Sequence, residues 1–236
     1  PANAGPPCLS ALPQHPLREK VAKWLEVVQA ESERLRAPLD KEISILVEEL
    51  TKATGEDQKI KEEELSKKQE ERRKARYDLK AVWNRELDRF LDHNGPHRVK
   101  WIAAGINPGG TEAIEGIYLH PAGPSGGPMH ALLRHDVPSW DYVLVLNQTS
   151  LSSTNMAELD GLSTTQQEIL KESIREMAEV ICQLAKITRA HVWILGNKEL
   201  YGKSRSRRHF YPFFQRLAEF YKDHPTLKER LYLSNH

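Results

Sequence analysis

The sequence predicts an α/β fold: a three-layer α/β/α arrangement with a central four-stranded parallel sheet, preceded by an N-terminal helical segment. Two observations carry this. Between residues 96 and 236, four short apolar runs without polar alternation are separated by longer runs of helical periodicity, the pattern of strands buried on both faces and joined by helices. Before residue 95 the apolar residues recur only at helical spacing. The 236 residues are enough for one α/β domain with an appendage, so the expected organisation is a helical region over 1–95 and an α/β domain over 96–236.

In chain order, Val21, Trp24, Leu25 and Val28, then Ile43, Leu46, Val47 and Leu50, predict two amphipathic helices parted at Pro38. Over 56–76 only Ile60, Leu65 and Ala75 are apolar, among runs such as Glu62-Glu63-Glu64 and Arg72-Arg73-Lys74. No stripe is available to bury, and a solvated helix or a mobile connection is expected. Leu79, Val82, Trp83, Leu87, Phe90 and Leu91 restore a helical stripe that stops at Asn94-Gly95-Pro96. Strands are then expected at Val99–Ala104, Tyr142–Leu146, His191–Leu195 and Arg230–Leu233. Helices are expected around Met129–Arg134, from the capping box Ser163-Thr164-Thr165-Gln166 through Ile187, and over Phe210–Tyr221.

Composition bounds the chemistry. Charged residues make up 28% of the chain, and 34 Lys and Arg against 33 Asp and Glu leave +1. A globally basic nucleic-acid binder is excluded, while a local basic face remains open. The two cysteines, Cys8 and Cys182, are too few for a disulfide framework, a four-thiolate zinc site or a cysteine-ligated iron–sulfur cluster. No cofactor or metal is expected. No apolar run approaches 18 residues and no secretory leader pattern is visible, so no membrane partner is expected and a reducing intracellular compartment is the default.

Ligands of open α/β sheets bind beyond the carboxyl ends of the strands. Those ends read Gly105-Ile106-Asn107-Pro108-Gly109-Gly110, Asn147-Gln148-Thr149, Gly196-Asn197-Lys198 and Ser234-Asn235-His236. Amides and one imidazole converge there, with no carboxylate and no Ser-His-Asp, Cys-His or paired-His spacing. The first loop is neither G-x-G-x-x-G nor a Walker loop. An edge of amides suits a hydrogen-bonding heterocycle, because an amide presents both donor and acceptor to a base.

Gly105-Ile106-Asn107-Pro108-Gly109 resembles the first motif of the mismatch-specific uracil-DNA glycosylases, within the uracil-DNA glycosylase superfamily. Gly116-Ile117-Tyr118-Leu119-His120-Pro121-Ala122 resembles the segment carrying the aromatic residue on which the flipped base stacks. Val143–Asn147 through Leu151 looks like the second-strand segment of the classical uracil-DNA glycosylases, and Leu233-Ser234-Asn235-His236 is similar to the start of the second catalytic motif. The resemblance covers roughly 96–236. The family continues with Pro-Ser and a wedge loop beyond the histidine, so the domain is expected to be cut short at its C-terminus. The resemblance says nothing of most of the N-terminal region.

The resemblance implies hydrolysis of the N-glycosidic bond of uracil or a related deaminated base in DNA. Asn107 would orient water and His236 would favour the negative charge developing on the departing base. Tyr118 would stack on that base and Asn147 would read its polar edge, beside Gly105 and Ile106. Gly109 and Gly110 would let backbone N–H groups approach phosphate, and the basic loop with Lys203, Arg205, Arg207 and Arg208 would hold the DNA. Plainer roles stand beside each: a turn at Asn107, a core aromatic at Tyr118 with His120 as rival for stacking, a loop cap at Asn147, coincidence at His236, and a solvated basic loop. The chain is expected to act as a monomer, in the cytoplasm if bacterial and the nucleus if eukaryotic. The alternative is a noncatalytic nucleic-acid-binding or protein-interaction module on the same fold.

Overall fold

The computed structural model describes residues 14–74, 79–89, 99–109, 127, 131, 142–152, 159, 161–195 and 205–234. Helix α1 spans Gln14–Leu50, with Pro38 inside it. The expected break at Pro38 is therefore corrected. Proline removes one backbone donor and crowds the preceding turn, yet the helix continues through it, and α2, Glu56–Lys74, lies along its second half. Lys68 pairs with Glu42 at 2.8 Å and Lys61 with Glu49 at 2.6 Å, and Arg72 bonds Asp40. Gly55, at φ +67, makes the reversal between the two helices. The charged stretch is thus a solvated helix held on the outer half of α1, with Ile60 53% exposed.

The helix expected from Leu79 to Leu91 is also corrected. Lys80–Ala81 form a short strand, β1, and only Arg85–Arg89 are helical (α3). Long-range pairing overrides the helical pattern. β1 runs antiparallel to β4, Leu151–Ser152, and the Val82 N–H donates to the Ser150 carbonyl at 2.9 Å. Asn84, 3% exposed, then starts α3 by accepting from the Glu86 N–H at 2.8 Å.

The main sheet contains β2 (Trp101–Gly105), β3 (Val143–Asn147), β5 (His191–Ile194) and β6 (Leu231–Leu233). All pairs are parallel, in the order β3-β2-β5-β6. β2 and β3 are buried almost throughout, as continuous apolar strands should be. β5 alternates and β6, at one edge of the sheet, is largely exposed. At the other edge, the Asn84 side chain donates to the Val145 carbonyl at 2.7 Å and shields β3 from pairing with a stray strand.

α4, Thr164–Thr188, opens with the expected capping box. Ser163 Oγ accepts from the Gln166 N–H, and Gln166 Oε1 from the Ser163 N–H. It ends at Arg189, a non-glycine residue at φ 54 whose N–H returns to the Ala185 carbonyl at 2.9 Å. A 3-10 turn, Arg205–Phe210, leads into α5, Tyr211–Asp223. Ile102, Ala104, Leu144, Leu146, Val192 and Ile194 form one core with the apolar sides of α4 and α5.

Leu17, Val21, Trp24 and Val28 of α1 belong to that same core, and the Trp24 indole donates to Glu172 of α4 at 3.0 Å. Ala103, Val143, Val145, Leu195 and Val82 form a second cluster on the other face of the sheet. Cys182 packs in the main core, where burial pushes its thiol up to about 12. The helix expected at Met129–Arg134 falls outside the described residues except for Ala131. Among the described residues no helix is long and apolar enough to cross a membrane.

Candidate functional site

The order β3-β2-β5-β6 places a reversal between β2 and β5. From β2 the chain passes to β3 on one side, then returns across the sheet to β5 on the other. A crevice forms beyond the carboxyl ends of such a pair, since the connections leave in opposite directions. The exit loop of β2, with Gly105, Ile106, Asn107 and Gly109, stands there. Gly105 is also the register partner of Asn147 at the end of β3, so both predicted amides leave from neighbouring strands at one edge.

The edge is knitted by a residue that sequence reasoning passed over as a site residue. The Gln148 N–H donates to the Gly105 carbonyl at 2.9 Å and to the Ile106 carbonyl at 3.1 Å. Its side-chain Nε2 donates to the Leu195 carbonyl, just past β5, at 3.0 Å. Gln148 is 1% exposed, and its backbone and side chain together link the ends of three strands. Its place in the run Asn147-Gln148-Thr149 was the available signal. The next residues are anchored to α4. The Thr149 hydroxyl donates to Ser173 Oγ at 3.0 Å, and the Ser150 N–H donates to the same oxygen at 2.8 Å.

Asn147 differs from these neighbours. It is 1% exposed, and its Nδ2 is buried with no hydrogen-bond partner among the described residues. Leaving a buried amide donor unmet costs about 1–3 kcal/mol. Asn107 is half-buried, and its Nδ2 donates to the Pro108 carbonyl at 3.2 Å, a contact of the turn itself. Gly109 is half-buried. Gly110, Tyr118, Lys203 and His236 lie outside the described residues. Arg205, Arg207 and Arg208 fall in the 3-10 turn before α5; Arg208 is exposed, while the side chains of the other two are outside the description. That turn packs on α4 and α5.

Chemically, the described edge can orient and recognise, because it is built of amides, carbonyls and hydroxyls. Among the described residues no three His, Cys, Asp or Glu side chains gather as a metal site would require. Comparison with family models, curated proteins and solved structures finds no match for the chain.

Proposed function

We propose that the chain is a monofunctional uracil-type DNA glycosylase, acting as a monomer on uracil or a related deaminated base flipped out of DNA. The observation that carries this reading is the unmet Asn147 donor. A buried amide N–H without a partner among the described residues, at the carboxyl end of a sheet strand, suits an acceptor supplied by a ligand, and the carbonyl oxygens of uracil are such acceptors. A ligand lacking them leaves the amide unsatisfied, so the same group selects as it binds.

In this reading Asn107 orients the water that attacks the anomeric carbon. An amide cannot take up a proton as a carboxylate does, so its contribution is positional. His236 favours the negative charge that develops on the leaving base, Tyr118 stacks on it, and Gly109 and Gly110 admit the phosphate backbone. The basic loop with Lys203, Arg205, Arg207 and Arg208 holds phosphates further along the strand.

A three-layer arrangement belongs to the same reading. The connections β3 to β5 and β5 to β6 step in one direction along the sheet and β2 to β3 in the other. Right-handed crossovers send opposite steps to opposite faces. Burial of Ala103, Val143 and Val145 on the face away from α4 and α5 supports it. Such an enzyme works where the DNA is, in a nucleus or a bacterial cytoplasm.

The test is base release from single-stranded, mismatched and paired uracil oligonucleotides. Release is expected from at least one substrate, with Asn147→Ala and Asn107→Ala each about 100-fold slower or more. Undiminished release in both variants overturns the site. Salt-sensitive DNA binding with no release from any substrate overturns the activity and leaves a noncatalytic nucleic-acid module.

A further inference from the structure

At the opposite, amino end of the strands lies an open hollow of about 770 Å³, walled by Lys100, Trp101, Arg189, His191, Arg230 and Tyr232. It is separated from the amide edge by the length of β2, about 13 Å at about 3.3 Å per residue. Nothing in the reading of the amide edge uses it.

Three features converge here. The first is aromatic. Trp101 and His191 are register partners on β2 and β5, and their rings stack at 4.7 Å with 27° between planes. Tyr232 of β6 leans over both, at 5.4 Å from Trp101 and 5.6 Å from His191, and is itself 42% exposed. The second is charge. Lys100, Arg189 and Arg230 contribute three cations, and no carboxylate lines the hollow among the described residues. The C-terminus of α4 also points here, and its carbonyls oppose an anion. Some carbonyls around it are already engaged: Arg230 donates to that of Arg189, Thr188 Oγ1 to that of Leu184, and the Arg189 N–H to that of Ala185. The third is an unmet polar atom. His191 Nδ1 is buried without a hydrogen-bond partner among the described residues.

We propose that this hollow binds a nucleotide unit, with its aromatic base laid against the Tyr232, Trp101 and His191 group and its phosphate held by Arg189 and Lys100. Either a free mononucleotide or one unit of a single strand presents that chemistry, since every base has a π-face and every unit a phosphate. Lys100 lies 5.0 Å over the Tyr142 ring, which keeps its ammonium at the rim. Burial and the Arg230 charge both lower the His191 pKa, which favours the neutral imidazole in this cationic hollow.

The site stands or falls independently of glycosylase activity. Tryptophan fluorescence of the full chain is titrated with AMP, adenosine, inorganic phosphate and a ten-residue oligothymidylate. AMP or the oligonucleotide is expected to bind with a fluorescence change, and adenosine and phosphate much more weakly. Tighter binding of the oligonucleotide identifies a strand as the source, and tighter binding of AMP a free nucleotide. Tyr232→Ala and Arg189→Glu alter exposed side chains, and each is expected to weaken binding about tenfold with an unchanged urea midpoint in the first. Absence of binding by both AMP and the oligonucleotide overturns the proposal. So does equal affinity in both variants, or inorganic phosphate binding as tightly as AMP. Each result is separable from base release, which is assayed at the other end of the sheet.

Discussion

The two halves of α1 are continuous in backbone and opposite in what holds them. Before Ser32, the helix buries Leu17, Val21, Trp24 and Val28 in the core shared with the sheet. Its polar contacts there reach α4: Trp24 to Glu172, Lys20 to Glu176 and Gln166 to Ser32 at 3.5 Å. Beyond Pro38, Ile45 and Val47 are 46% and 44% exposed, Ile43, Leu46 and Leu50 are only half-buried, and ion pairs at the surface join this half to α2. Burial of an aromatic side chain is worth several kcal/mol, whereas an exposed ion pair is worth about 0–1 kcal/mol. One half is thus part of the folded core and the other an extension from it. A helix boundary and a stability boundary need not coincide.

The sharpest way to break this contrast is Trp24→Ala, expected to cost about 3–5 kcal/mol in urea unfolding through cavity formation and loss of the Glu172 contact. A loss below about 1 kcal/mol would place Trp24 outside the core. Gly55→Ala forces a side chain into the left-handed region and is expected to cost about 1–2 kcal/mol, read as loss of helical circular dichroism from the hairpin. No loss would mean that the turn relaxes. Lys68→Ala should shift unfolding by about 0.2–1 kcal/mol, and the difference should vanish in about 1 M salt. A salt-independent loss would show that packing holds the outer half as well.

The junction between the halves titrates. Arg34, at 2.8 Å, and then Ser163 hold the Glu31 carboxyl at about 2, below its ordinary 4.5. A depressed folded pKa stabilises above the unfolded value and loses that contribution as pH falls toward the folded one. Stability should therefore decline between about pH 4.5 and 2, and Glu31→Gln should flatten that slope. An unchanged slope would detach Glu31 from the junction.

Much of the sheet was legible because its signals are local. Four apolar runs named the four parallel strands, and Ser163 with Gln166 named the start of α4. Misreadings arose elsewhere. Pro38 reads as a break although α1 runs through it, and Leu79 to Leu87 reads as helix unless β4 is known to pair with Lys80 and Ala81. The amide edge was legible from strand ends, but Gln148 and Ser173 emerged only once three strands and a helix were placed together. The hollow at the other end was not legible at all. Trp101, His191 and Tyr232 are 90 and 41 residues apart, and only the register brings their rings together.

Arg189 sets stability against use at one position. In the left-handed region a non-glycine residue costs about 1–2 kcal/mol, and glycine commonly fills this place at the end of a helix. A library randomised at 189 and selected only for heat resistance should drift toward glycine. Selected for nucleotide retention instead, the same library should keep a cation, so the two enrichment profiles would diverge at this codon.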